Sequence, residues 1–356
     1  MMDAILWLSF FILLMHVYVR LLGRKYYMPV MGDAIHFATT VDGWRLTLLH
    51  YIPTEQKHPV PILLMHGLGA NRYNMDYGQG VSIARHLRDL GFDVWVGEMR
   101  GRGLSYRPDR GRHFYTWNFD DYNYKDIPAL IDRVCELTGA PEIDYLGHSM
   151  GGILLYSYLI TTKQTRIRRG VTVGSPIHFG HVDELLRKLA RLRGILRFIP
   201  FIPIRWFVIP TLPLHASFRT GFVKNQVNPD NVSLQEVARL GYNLICNLSP
   251  GEIGQFAEWI GTDGKIRSGD GSFVFIDHLP EVKTPILLLA GAGDQLVSIH
   301  GVKHAYELIG SEDKKYVELS KANGYQHDYG HGDLLIGNSA PAEVFPLIVE
   351  WIAKDN

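Results

Sequence analysis

Ser149 sits in the run Tyr145-Leu146-Gly147-His148-Ser149-Met150-Gly151-Gly152. An apolar stretch, Ile143 to Leu146, leads in, and a helical pattern, Ile153 to Ile160, leads out. Strand, sharp turn and helix form the setting in which a G-x-S-x-G pattern presents a serine hydroxyl as a nucleophile. Gly147 and Gly151 carry no Cβ, so strand and helix can close on either side of a strained serine. A hydroxyl is a weak nucleophile at neutral pH and needs a base to take its proton. That base should follow the last strand-like run, Tyr316 to Leu319, and two of the 16 histidines do, in Gln326-His327-Asp328-Tyr329-Gly330-His331-Gly332-Asp333. Spacing favours His331, because Gly330 and Gly332 leave its loop free to project; His327 is the other candidate. The base needs a carboxylate to orient it. Asp294 ends Leu287-Leu288-Leu289-Ala290-Gly291-Ala292-Gly293-Asp294, a strand followed by a glycine turn. This sets Asp294 at the carboxyl edge of a sheet, where sites in open parallel sheets lie. A turn or capping role is the alternative for Asp294, with Asp328 and Asp333 as fallback acids. An oxyanion needs donors fixed before charge develops. The backbone N–H of Met150 is one candidate. The other is Leu68 N–H, in His66-Gly67-Leu68-Gly69 after the apolar run Val60 to Met65. A plain glycine turn is the alternative there.

The elements that must position these residues alternate along the chain. Ala34 to Thr40 and Arg45 to Tyr51 are strand-like and joined through Asp42-Gly43, a hairpin signal. Strand Val60 to Met65, helix Val81 to Leu90, strand Phe92 to Val96, helix Phe119 to Leu137, strand Ile143 to Leu146 and strand Val171 to Val173 follow. The rhythm breaks from Ile177 to Glu281. Within that interval Leu185 to Pro213 mixes basic and apolar residues, and Ser233 to Cys246 and Pro250 to Ile260 look helical. It resumes with strand Pro285 to Ala290, helix Gly301 to Ile309, strand Tyr316 to Leu319 and helix Pro341 to Ile352. Such alternation implies an α/β fold, a mostly parallel sheet with helices on both faces. The interruption reads as an inserted, mainly helical cap. The expected division is 1–25 as a membrane anchor, 26–176 as the first part of the core, 177–281 as the cap and 282–356 as the second part of the core.

The chain has 356 residues and is 46% hydrophobic, enough for a sizeable core. Its 36 basic and 36 acidic residues cancel, which gives no global electrostatic case for nucleic acid. Its two cysteines, Cys135 and Cys246, show neither metal-ligand spacing nor a disulfide framework. Ala4 to Val19 holds no Asp, Glu, Lys or Arg, and Arg20, Arg24 and Lys25 follow it. No cleavage signal follows, so an uncleaved anchor is expected, reaching the ~17–25 residues of a span if Arg20 snorkels. The alternative is a helix packed on the folded domain. The trailing basic residues would keep the catalytic domain on the cytoplasmic side.

Several spaced stretches together resemble one family. They are His66-Gly67-Leu68 with Asn71, Asp93-Val94-Trp95-Val96-Gly97 with Arg100-Gly101, and Asp126-Ile127-Pro128-Ala129 with Ile131-Asp132. The elbow Gly147-His148-Ser149 and the run His331-Gly332-Asp333-Leu334, with Ala340-Pro341 and Glu343-Val344 beyond, complete the set. In one order they resemble the α/β-hydrolases of the acid lipase group, the gastric and lysosomal lipases, over about Phe37 to Ile352. The resemblance implies Ser149 as nucleophile, Asp294 as acid and His331 as base, in the Ser, Asp, His chain order of that fold. It implies hydrolysis of a carboxylic, lipid-like ester through an acyl-enzyme, which calls on no metal or organic cofactor. Acyl transfer to an alcohol, or a non-catalytic membrane-tethered interaction protein, are the alternatives. Met150-Gly151-Gly152 departs from the Gln-Gly usual in acid lipases, and an acidic pH preference is not carried over. The polyester synthase group is a more distant relative by pattern, but it uses cysteine where this chain has Ser149. The expected partners are an apolar acyl ester and a membrane, met through the N-terminal helix, with the cap as a second candidate contact.

Overall fold

A computed structural model describes the chain except residues 1, 79, 111–114, 163–165, 181–186, 189, 192 and 355–356, and except the side chains at 2–5, 8 and 197. Part of the basic and apolar stretch expected from Leu185 therefore lies outside the described residues, as does the head of the expected anchor.

Eight strands form one sheet in the order β1-β2-β4-β3-β5-β6-β7-β8. They are β1 Ala34–Thr39, β2 Arg45–Tyr51, β3 Ile62–Met65, β4 Val94–Glu98, β5 Ile143–His148, β6 Ile167–Val173, β7 Ile286–Gly291 and β8 Lys314–Leu319. β1 pairs antiparallel with β2 and β2 antiparallel with β4, while every pairing from β4 through β3 to β8 is parallel. The α/β expectation is met, and the hairpin through Asp42-Gly43 supplies the antiparallel edge.

Side chains alternate across the sheet. Leu63 and Met65 enter the core on one face with Tyr145, Leu288 and Ala290. Ile62 and Leu64 enter the core on the other face with Leu146, Leu287 and Leu289. Buried on both sides, these strands read as continuous apolar runs, as parallel strands do. The covering helices include α2 Ile83–Asp89, α3 Phe119–Asp121, α4 Ile127–Thr138 and α5 Met150–Thr161. One long helix was expected from Phe119 to Leu137. The chain instead makes a π-turn at Tyr122–Asp126 between α3 and α4, with Pro128 in the first turn of α4. Proline has no N–H for an i−4 carbonyl, which breaks the regular ladder there. The final helix is also divided, with Pro346 opening its second part.

Between β6 and β7 an insert carries α6 Ile204–His215, α7 Gly221–Gln226, α8 Leu234–Asn243 and α9 Pro250–Gly261. The core resumes with α10 Ile299–Leu308, α11 Asp333–Ile336, α12 Ala340–Glu343 and α13 Phe345–Ile352. The insert is tied to the core by a fully buried ion pair. Arg102, after β4, contacts Glu252 in α9, and Trp117 Nε1 (2.8 Å) and Tyr122 OH (3.0 Å) donate to the same carboxylate.

The N-terminal α1, Met2–Tyr26, packs on the insert. Its Leu22 and Tyr26 join Val208, Ile209, Leu212, Ala216 and Ala238 in a separate small core. Asn243 donates to Tyr26 O at 2.8 Å, and Tyr18 OH to Pro210 O at 2.9 Å. Further up, Trp7, Phe10, Phe11, Leu14 and Val17 are exposed. Among the described residues no helix is long and apolar enough to cross a membrane.

Candidate active site

The site lies where the parallel strands end. Met65 of β3 pairs with Gly147 of β5, His148 with Val173 of β6, and Gly291 of β7 with Leu319 of β8. This register puts the segments after β3, β5, β6, β7 and β8 on one edge. Ser149 follows β5 directly with φ 54°, the one non-glycine residue with positive φ among the described residues. Its N–H donates to Val173 O at 2.8 Å, and α5 begins at the next residue. The approach around it leaves no room for side chains. A Cβ on Gly147 would lie 2.3 Å from the backbone of Gly151, and one on Gly151 would lie 2.4 Å from Met65 O.

Asp294 follows β7. Its Oδ1 accepts from Leu296 N and Val297 N, both at 2.8 Å, and its Oδ2 faces His331 Nδ1 at 2.7 Å. The turn bonds use one oxygen of the carboxylate and the imidazole contact uses the other, so this geometry leaves room for both readings of Asp294. His331 is buried, and its ring passes over Gly174, where a Cβ would come within 3.3 Å of Nδ1. Gly174 follows the very carbonyl that Ser149 bonds, so ring and serine are neighbours. Burial pushes the His331 pKa down, but the Asp294 carboxylate outweighs it, aided by Asp333, and holds the imidazole above its ordinary value. His327 meets Tyr329 edge-on (ring centroids 6.4 Å apart), and its buried Nδ1 has no hydrogen-bond partner among the described residues. Asp328 accepts from Lys321 N, and Asp333 faces Asn228 and Asn231 of the insert. Neither fallback acid hydrogen-bonds the imidazole of His331.

The loop after β3 crosses directly above the serine. A Cβ on Gly67 would sit 3.0 Å from Ser149 Cβ. Ala70 N–H bonds Gly67 O at 3.3 Å, and Gly69 takes φ 66°. In such a turn the N–H of the second residue, Leu68, is not consumed by the turn's own bond. Met150 is the first residue of α5, and first-turn N–H groups have no acceptor within their helix. His66 beneath this loop bonds Gly67 O through Nδ1 (2.9 Å) and accepts from Met99 N through Nε2 (3.3 Å). Burial pushes its pKa down to about 3, so it serves as a neutral strut.

Two residues that hold the site were not singled out by sequence reasoning. Asn74 Oδ1 accepts from Gly67 N at 3.0 Å and meets His148 Nδ1 at 2.9 Å. His148 Nε2 in turn lies 3.0 Å from His331 O. His148 thereby links the loop above Ser149 to the segment carrying His331. Burial, then the charge on His331, push its pKa down to about 3. The only cue in the sequence was the place of His148 inside the elbow motif. Nothing in the spacing connects position 74 to position 148. A second His–Asp couple, His50 with Asp93, sits under the stacked ring of Trp95 at the opposite end of the strands. Asp93 precedes β4, whereas Ser149 follows β5.

Residues 60–328 match the family described as alpha/beta hydrolase fold. Human gastric triacylglycerol lipase is 38% identical over 176 residues, 45% of this chain and 42% of that protein. Lipase lipl-3 of Caenorhabditis elegans is 35% identical over 139 residues, 35% of this chain and 34% of that protein. The chain thus spans about a third of the length of that lipase. The poly(3-hydroxyalkanoate) polymerase subunit PhaC of Haloarcula marismortui is 24% identical over 332 residues, 87% of this chain and 66% of that one. Among solved structures, an esterase from Exiguobacterium antarcticum superposes with a TM-score of 0.59 at 16% identity, over 91% of this chain and all of that one, a likeness of fold. With the sheet order, the elbow and the family match in agreement, the chain belongs to the alpha/beta hydrolase fold family.

Proposed function

We propose that this protein is a carboxylic ester hydrolase acting on apolar, lipid-like esters through an acyl-enzyme. The observation that carries the reading is one carboxyl edge holding Ser149 in a positive-φ turn, His331 on Asp294 at 2.7 Å, and the Gly67–Ala70 turn over the serine. Ser149 Oγ attacks the ester carbonyl, and its proton passes to His331 Nε2. Leu68 and Met150 N–H groups hold the oxyanion. Collapse breaks the C–O bond to the alcohol, which takes the proton from His331. Water, deprotonated by the same imidazole, then attacks the acyl-enzyme and releases the acid and the serine.

Ser149→Ala tests this. It should lower turnover of short acyl esters on the order of 10⁶-fold, abolish covalent labelling by a fluorophosphonate, and leave the thermal transition in place. Unchanged turnover would sink the assignment. The polymerase likeness over most of the chain favours a second reading, transfer of the same acyl group to an alcohol. Adding a competing alcohol and measuring the ratio of ester to acid product separates the two.

The proposal includes membrane association, with the catalytic part on the cytoplasmic side of a bilayer. It is supported by the exposed aromatic and aliphatic side chains along α1, among them Trp7, Phe10 and Phe11, followed by Arg20, Arg24 and Lys25. It is also supported by Trp206 and Phe207, exposed on α6 beside the base of α1. Co-flotation with liposomes, compared between the full chain and one starting after Tyr26, tests it. Equal flotation of both would remove α1 from the account.

A further inference from the structure

The segment carrying His331 does not project freely. Gly332 N–H donates to Gln226 O of the insert at 2.7 Å. A Cβ on Gly330 would stand 2.7 Å from Asn228 N, and one on Gly332 would stand 3.1 Å from Gln226 O. The glycines on either side of the histidine therefore let the backbone of the insert close on it, which reverses the role expected from the sequence. Two residues on, Asp333 is completely buried, and among the described residues no cation pairs with it. Its Oδ1 accepts from Asn228 N at 2.9 Å and its Oδ2 from Asn231 Nδ2 at 3.0 Å. Asn231 also accepts from Ser339 N through Oδ1 at 3.1 Å and from Asn338 N through its backbone oxygen at 2.8 Å. Asn228 Nδ2 donates to Asp328 O at 2.9 Å.

A buried carboxylate without a counter-charge is costly unless every lone pair is met and the arrangement does something for the fold or the site. Here its donors all come from one turn of the insert or from its own segment. That segment holds His331, whose backbone oxygen lies 3.0 Å from His148 Nε2 on the other side. Resting on the reading of His331 as the base, we propose that the Asn228–Asn231 turn of the insert is a positioning clamp for His331, acting through the Asn231–Asp333 pair. The insert and the base then move as one unit at this contact, and any opening of the insert to admit substrate must hinge elsewhere.

The test uses three variants of the full chain: Asn231→Ala, Asp333→Asn, and the exchange Asn231→Asp with Asp333→Asn. The exchange keeps the pattern satisfiable. Asn at 333 accepts from Asn228 N and donates to Asp at 231, which still accepts from Ser339 N. Active sites are counted by stoichiometric fluorophosphonate labelling, and kcat per labelled site and KM are measured on a soluble short-chain nitrophenyl ester. Both single variants should lose about 10- to 100-fold in kcat per site, the size expected for a misplaced catalytic group, with KM unchanged. Asp333→Asn should also move the acid limb of the pH profile down, because Asp294, Asp333 and the ring of His148 are the titratable groups facing His331. The exchange should recover kcat. The clamp is overturned if Asn231→Ala keeps full kcat per site, or if its loss is only a loss of labelled sites. It is equally overturned if the exchange does no better than the singles, or if none of the variants folds, since the contact is then purely structural. Failure of the wild type to label would instead remove the hydrolase reading itself.

Discussion

Asp294 divides its two oxygens between two tasks: Oδ2 lies 2.7 Å from His331 Nδ1, while Oδ1 accepts from Leu296 N and Val297 N at 2.8 Å. The backbone bonds fix the carboxylate plane before any substrate arrives. They also make the outcome of Asp294→Asn specific. The amide oxygen is drawn to the two backbone donors, so the NH₂ must face His331. Nδ1 must then be the unprotonated nitrogen, and Nε2 carries a proton where a base needs a lone pair. On the proposed function, turnover should fall about 10⁴-fold, the loss seen when the wrong tautomer is imposed in a Ser-His-Asp triad, with the fold intact. Asp294→Ala should lose both activity and stability, the latter by about 1 kcal/mol, since of the two donors left unmet Val297 is buried and Leu296 is exposed. Equal melting temperatures for the two variants would contradict this division of labour.

The pH dependence follows from the same contact. His331 accepts a proton only when neutral, and its pKa is held above the ordinary imidazole value by Asp294 against the effect of burial. The acid limb of kcat/KM should therefore have its midpoint above ~6.5, and the residual activity of Asp294→Asn should show a midpoint below that of the wild type. Stability carries the opposite sign. A folded pKa above the unfolded one gives stabilisation that is complete below the unfolded pKa and is lost as pH rises through the folded pKa. The margin in melting temperature between wild type and Asp294→Asn should narrow over the window in which activity rises. A flat margin would mean that the raised pKa is not realised.

The legible parts of this molecule are those written in local pattern. Ile62–Met65 and Ile286–Gly291 are buried on both faces, so continuous apolar runs marked them as parallel strands. Ser149, Asp294 and His331 follow strand ends, and strand ends could be read. Gly330 and Gly332 do the reverse of freeing a loop, because what they accommodate is the backbone of Gln226 and Asn228, about a hundred positions away. Asn74 and His148 were missed for the same reason. Arg100, part of one of the family-like motifs, bonds Asp126 at 2.7 and 2.9 Å and Asp42 at 2.8 Å, which makes it a brace of the fold. A motif records that a residue recurs with its neighbours and does not separate chemistry from bracing.

The Arg102–Glu252 pair should behave as a buried contact between insert and core. Both side chains are fully buried, and Trp117 and Tyr122 depend on the same carboxylate. Glu252→Ala leaves the guanidinium without a counter-charge and should cost about 3–5 kcal/mol, read as a shift in the urea midpoint. Replacing both partners with apolar residues of similar size, Arg102→Met with Glu252→Leu, should recover much of that loss, since the desolvation of two ions is also removed. A double variant no more stable than Glu252→Ala would show that the indole and phenol bonds matter more than the charges.

Ser149 stores strain that a variant can release. Its φ of 54° is a conformation in which an L side chain crowds the backbone, at a cost of roughly 1–3 kcal/mol. Ser149→Ala removes the proposed nucleophile and keeps the Cβ, so the strain stays. Ser149→Gly removes both. The gain is offset by the greater freedom of glycine in the unfolded chain, about 0.5–1 kcal/mol. The glycine variant should therefore be inactive and still unfold about 1 kcal/mol later than the alanine variant, the difference left between those two terms. Denaturant curves of the two variants give the comparison directly, because both lack the Ser149 hydroxyl and differ only in the Cβ. If alanine proves as stable as glycine, the turn is relaxed at Ser149, and the close contacts at Gly147, Gly151 and Gly67 carry the whole constraint of the elbow.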